Sequence, residues 1–239
     1  MRSTRTTLSL DEQTLDDLVR RMGMDSVKWR SQRAWLEDPD VHALAEARLM
    51  DLSPVRRDLQ EAIEGLVALA RASVRLGPLG WTVAGDRLVN GTYTKAVALI
   101  DADEDQSAID EVMTTAWSNR VTLRGTYGPI LWLYGPDDNS IDLMIGRIAL
   151  LDQALEHHLR GEYAAAVLIV LSQIDGITLD ATNNKHGCFI KANGLPLERH
   201  RIMHGRELAY GTEVNSCKAF GLLGSMIDFL RGRYPGFRS

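Results

Sequence analysis

Arg199, His200 and His204 fall within six positions of the stretch "LERHRIMHGREL", residues 197–208, in a chain that has only six histidines among 239 residues. Imidazole takes or gives a proton near neutral pH, and a guanidinium grips a phosphate with paired donors. That set matches metal-free cleavage of RNA. A base removes the 2′-hydroxyl proton, an acid protonates the leaving oxygen, and a cation holds the charge of the phosphorane.

The spacing allows the three groups to act together. On a helix, positions 200 and 204 lie about 40° apart and project from one face, while 199 is offset by about 100°, within reach of a long guanidinium arm. Gly205 is expected to end this helix, leaving His204 in a last turn whose free carbonyls favour the imidazolium. Between Lys185 and Arg206 there are five Lys or Arg residues against one acid, Glu198. This is a concentrated positive field in a chain of net charge -5, suited to a phosphate. Lys191, Arg201 and Arg206 are its candidate RNA-binding residues. The rival reading makes Arg199 and His200 solvated surface groups and His204 a helix-end histidine bonded to carbonyls. An Arg-x-x-x-x-His match alone is too common to decide; the charge cluster and the helical context favour a site.

Other chemistries find less footing. His186, Cys188, His204 and Cys217 lack the paired close spacing of a zinc tetrad, so neither metal nor cofactor is expected. His157 and His158 are adjacent and are expected at a helix surface, and Tyr210, Thr212 and Asn215 read as turn and cap residues. There is no G-x-x-x-x-G-K-[ST] loop and no nucleophile elbow. The acidic balance excludes a general nucleic-acid coat. Two cysteines give no disulfide framework, and the N-terminus lacks the apolar core of a secretion signal. The longest clean apolar run, "AAAVLIVL" at 164–171, is short for a bilayer span. A soluble, cytoplasmic protein without a membrane partner is the expectation.

The elements that must position the motif are helical almost throughout, which predicts an all-α fold. Ser53 and Pro54 start a helix whose Leu59, Ile63, Leu66, Ala70 and Val74 recur at helical spacing. "LSLDEQTLDDLVRRMG", "DVHALAEARLMDL" and "DQSAIDEVMTTAW" read as further helices. "RVTLRGTYGPILWLYG" is ambiguous, with a strand flavour from its β-branched and aromatic residues. After "YGPDDNS", Ser140 or Asn139 is expected to cap a helix carrying Ile141, Met144, Ile148, Leu151, Leu155 and Leu159 on one stripe. "RGE" at 160–162 breaks it. A second helix follows with Tyr163, Val167, Leu171, Ile174 and Thr178 in phase. A short third helix starts at Pro196, and a fourth, "SCKAFGLLGSMIDFLRGRY", is capped by Asn215. Four helices with short joins make a bundle. The organisation expected is a mainly helical region of unassigned role, 1–135, followed by the bundle, 136–239, the two halves being free to share one core.

"RHRIMHG" within "LPLERHRIMHGRELAYGTEVNSCKAFGLL" resembles the R-polar-x-x-x-H signature of the HEPN superfamily. "LLDQALEHHLRGEYAAAVLIVLSQIDGI" resembles that family's opening helix pair, with an acid followed by Gly near the end of the second helix. The likeness covers roughly residues 139–232. It implies a HEPN-like four-helix bundle, a homodimer facing its motifs across a cleft, and metal-independent endoribonuclease activity of the toxin or antiviral-defence type. An antitoxin or defence-system protein is the implied partner. Carried over by position, Arg199 holds the scissile phosphate, His204 transfers the proton, His200 orients the pair and Asp175 supports the group. The link at 180–195 is short for the family. Two rivals stand beside this reading: a non-catalytic HEPN module binding RNA or a nucleotide, and a helical protein-interaction domain.

Overall fold

The computed structural model describes Pro39 and residues 53–83, 90–134, 137–182, 202 and 206–233. These form seven α-helices and no strand among the described residues, so the protein is all-α. The helices are α1 (Ser53–Leu76), α2 (Asn90–Asp101), α3 (Gln106–Trp117), α4 (Arg120–Tyr127), α5 (Asp138–Leu159), α6 (Tyr163–Thr182) and α7 (Glu213–Arg233), with 3-10 turns at Gly77–Leu79 and Gly128–Trp132. The chain divides into two compact units, residues 1–66 and 67–239. The larger one holds everything described below. The helices expected at 8–23 and 40–52 lie outside the described residues.

Helix α6 is packed between α5 and α7, and α7 in turn packs on α3, α4 and the second 3-10 turn. Its predicted stripe is present: Val167, Leu171, Ile174 and Thr178 are buried, with Ala166, Val170 and Ile177 beside them. Such a helix is apolar nearly all round because neighbours cover it on more than one side. Among the described residues it is the one helix long and apolar enough in composition to cross a membrane, and half of that stretch is buried in the bundle. Helix α5 follows its predicted stripe toward its C-terminal end, where Leu151 and Leu155 are sealed, whereas Ile141 and Leu159 at its two ends are exposed. The break at 160–162 is a tight joint: Gly161 takes φ 79°, a left-handed conformation that suits glycine.

The stretch read as ambiguous is helical. Asn119 caps α4 by accepting from the Thr122 N–H at 2.9 Å, and Leu123, Tyr127 and Ile130 are buried. Packing at helical spacing overrides the strand preference of Val121, Thr122 and Tyr127. Two caps also differ from expectation. Asp137, rather than Ser140 or Asn139, caps α5 by accepting from the Ser140 N–H at 2.9 Å. Thr212, rather than Asn215, caps α7 by accepting from the Asn215 N–H at 3.2 Å. In each case a short oxygen side chain lies three residues before the N–H it satisfies.

Helices on both sides of residue 136 contribute to one core. Trp81, Tyr93, Met113, Trp117, Leu123 and Ile130 pack in the same cluster as Leu155, Leu171, Phe220 and Met226. Gly221 lets α7 approach closely, since a Cβ there would sit 3.0 Å from the Thr82 hydroxyl and 3.6 Å from the Trp117 ring.

Candidate functional site

Of the residues predicted to do chemistry, Lys191, Arg199, His200, Arg201 and His204 lie outside the described residues, as do His186 and Cys188. Two neighbours in sequence, Ile202 and Arg206, and the predicted supporting residue Asp175 are described. Ile202 is helical and only 4% exposed, a member of the hydrophobic core. It stands three positions after Arg199 and two before His204. Arg206 is exposed at a bend beyond the motif. Asp175 is half-buried on α6. From Arg206 the chain runs through Gly211, which packs against Ala164 at the start of α6, and so into α7.

A polar cluster lies near the C-terminal end of α6. Arg147 of α5 donates from Nε to Asp180 at 2.9 Å and from Nη1 to the Gln173 side-chain oxygen at 3.0 Å. Its Nη2 lies 2.6 Å from the same Asp180 oxygen. The Tyr134 hydroxyl donates to Asp180 at 2.7 Å, and burial holds that phenol protonated well above its ordinary range. Gly176 is the reason the guanidinium fits, because a Cβ there would collide with it. Thus the glycine that follows Asp175 has a packing role. The planar, multi-donor guanidinium joins the last turns of α6 to α5 and to the segment after the 3-10 turn. The chain then leaves α6 toward the motif.

A second cluster is more deeply enclosed. Lys218 is 5% exposed in the middle of α7. Its ammonium is 3.1 Å from Asp110 of α3 and 5.0 Å from the centre of the Trp81 ring. The Trp81 indole N–H also donates to Asp110, at 2.6 Å. A buried ammonium needs such compensation, and the ring face adds to it. The sequence carried a signal for this pair: Lys218 interrupts the apolar run "SCKAFGLL".

His158, expected at a surface, is buried. Its Nδ1 lies 2.9 Å from the Ser216 hydroxyl, and its ring stands edge-on to Tyr163 and Phe220. Desolvation lowers its pKa, opposed by the Glu213 charge and a backbone hydrogen bond at Ser118. A serine beside an imidazole suggests nucleophile and base, but both are sealed in the core and no substrate can reach them. The histidine instead ties α5 to α7 and to the joint after α3. His157 is half-buried and 2.5 Å from Glu162. The Arg160 hydrogen bond, followed by the His157 contact, holds the Glu162 carboxyl down at about 2. Cys217 is buried, and burial pushes its thiol up to about 12. Among the described residues no group of three or more His, Cys, Asp or Glu is placed to hold a metal.

The described polar clusters are therefore of two kinds: sealed groups that join helices, and a half-open arginine cluster near the C-terminal end of α6. No protein-family model, curated protein or solved structure matches this chain.

Proposed function

We propose that this protein is a metal-independent endoribonuclease, a toxin or antiviral-defence effector acting as a homodimer, with Arg199, His200 and His204 as its centre. One observation carries the reading. Ile202 is helical and buried in the core, so the motif is centred on a residue anchored to the folded unit. A solvated tail has no such anchor. The motif's type and spacing, with the excess of cations between Lys185 and Arg206, supply the chemistry.

In the proposed reaction the 2′-oxygen attacks phosphorus, forming one P–O bond as the bond to the 5′-oxygen breaks. His204 takes the proton from the 2′-hydroxyl and delivers it to the departing 5′-oxygen, Arg199 holds the non-bridging oxygens, and His200 orients the pair. The products are a 2′,3′-cyclic phosphate and a 5′-hydroxyl. Asp175 supports the group from α6, and Lys191, Arg201 and Arg206 guide the RNA backbone. An antitoxin or defence-system protein is the natural restraint.

Expression at equal protein level tests this in cells. The parent should arrest growth and the His204→Ala variant should not. Equal arrest by both would refute catalysis by this residue. Salt-sensitive RNA binding without turnover, weakened in Arg199→Ala, would instead identify a non-catalytic RNA-binding module.

A further inference from the structure

The surface where the 3-10 turn meets the first half of α5 is apolar, exposed and rimmed with acid. Trp132 is 59% exposed, Ile145 56%, Leu131 55% and Ile141 36%. These residues belong to two elements that pack together. Arg120 pairs with Glu156, and Arg124 with Asp152, so α4 runs antiparallel to α5 with each four-residue step forward matched by four back. The 3-10 turn that follows α4 also packs on α5, so Leu131 and Trp132 stand on an element that borders that helix. On α5 itself, Ile141 and Ile145 are one turn apart on one face. An exposed tryptophan and three exposed aliphatics on two elements packed together have the composition of a binding hot spot.

The rim decides what fits. Asp137, Asp138 and Asp142 are all exposed in the opening turns of α5. Asp138 and Asp142 fall within about 100° of the Ile141–Ile145 face. Asp137 is ionised, its carboxyl held below the usual range by the Ser140 hydrogen bonds. The helix N-terminus offsets only about half a charge. The described cations of α4 and α5 in this region, Arg120, Arg124 and Arg147, are already matched with Glu156, Asp152 and Asp180. Among the described residues the patch is therefore negative. A twofold contact with a second copy would set these acids against their own images, and an anionic membrane would be repelled.

We infer that this face docks a basic amphipathic helix of a partner protein, its aliphatic side chains on Trp132, Leu131, Ile141 and Ile145 and its lysines or arginines against Asp138 and Asp142. The inference is independent of the nuclease motif.

The test uses the full chain and a labelled helical peptide of leucine and lysine at amphipathic spacing, with a leucine–glutamate peptide as control. Binding of the lysine peptide alone is expected. Trp132→Ala should weaken it about tenfold or more. The Asp138→Asn/Asp142→Asn pair should weaken it several-fold at low salt, with the difference fading at high salt. All these positions are exposed, so melting should be unchanged. Peptide binding unchanged in these variants, or absent in the parent, overturns the inference. So does concentration-dependent self-association abolished by Trp132→Ala, which would give the face to a second copy, or binding to lipid vesicles abolished by Trp132→Ala.

Discussion

The two polar clusters of the bundle solve the same problem under different conditions. Lys218 sits almost wholly inside, with one carboxylate and one ring face as compensation. Arg147 sits at 13% exposure, shares its donors between Asp180 and Gln173, and keeps some contact with water. A point charge in the core depends on a single partner, whereas a fork at the edge distributes the dependence. The first cluster is accordingly a structural lock between α3 and α7. The second fixes the C-terminal part of α6 against α5.

The largest effect should come from Asp110→Ala. It strands the Lys218 ammonium and removes the acceptor of the Trp81 indole, so a loss of about 3–5 kcal/mol is expected by denaturant unfolding. Adding Lys218→Met should restore most of it, because a Lys-sized apolar chain needs no counter-charge. A loss of well under about 1 kcal/mol for the single variant would show that water reaches the pair and that the two clusters are alike.

At the edge cluster the effects should be smaller. Arg147→Ala is expected to cost about 2 kcal/mol, the loss of charge-assisted bonds at a partly wet site. Gly176→Ala is expected to cost about 1–3 kcal/mol by displacing the guanidinium. Combined, the two should cost less than their sum, since both act by removing one arginine from its seat. Additivity would mean that Gly176 serves something other than Arg147.

Much of the fold was legible because burial follows period. The stripes of α5 and α6 could be marked from apolar spacing alone, and the break at 160–162 from its glycine. What was not legible depended on partners distant in sequence. Nothing near His158 reveals that Ser216 and Phe220 will cover it. The helix at Arg120–Tyr127 is held by Leu123 and Tyr127 facing the core, against local preference. Caps were misplaced by two or three positions because "PDDNS" and "GTEVNS" each offer several short polar side chains. The arginine cluster went unread for the same reason: Arg147, Gln173, Asp180 and Tyr134 come together only when α5 folds back on α6. The motif is proposed from residue type and spacing; Arg199, His200 and His204 lie outside the described residues, and Ile202 between them is buried.

A smaller, pH-dependent effect separates sealed from edge chemistry. Burial lowers the folded-state pKa of His158, so the unfolded ring takes up its proton first as pH falls. Stability should therefore decline as pH drops below about 6.5 and level off once the folded ring is also protonated. The measurement is the denaturant midpoint at a series of pH values, and His158→Gln should flatten that part of the curve. A midpoint unchanged between pH 8 and 5 would place the ring in contact with water.

The most direct test of the nuclease proposal is the end chemistry of RNA incubated with the purified protein in excess chelator. Fragments ending in a 2′,3′-cyclic phosphate are expected from the parent, with none from Arg199→Ala or His204→Ala at equal concentration. Cleavage that requires a divalent metal, or that both variants retain, would contradict it.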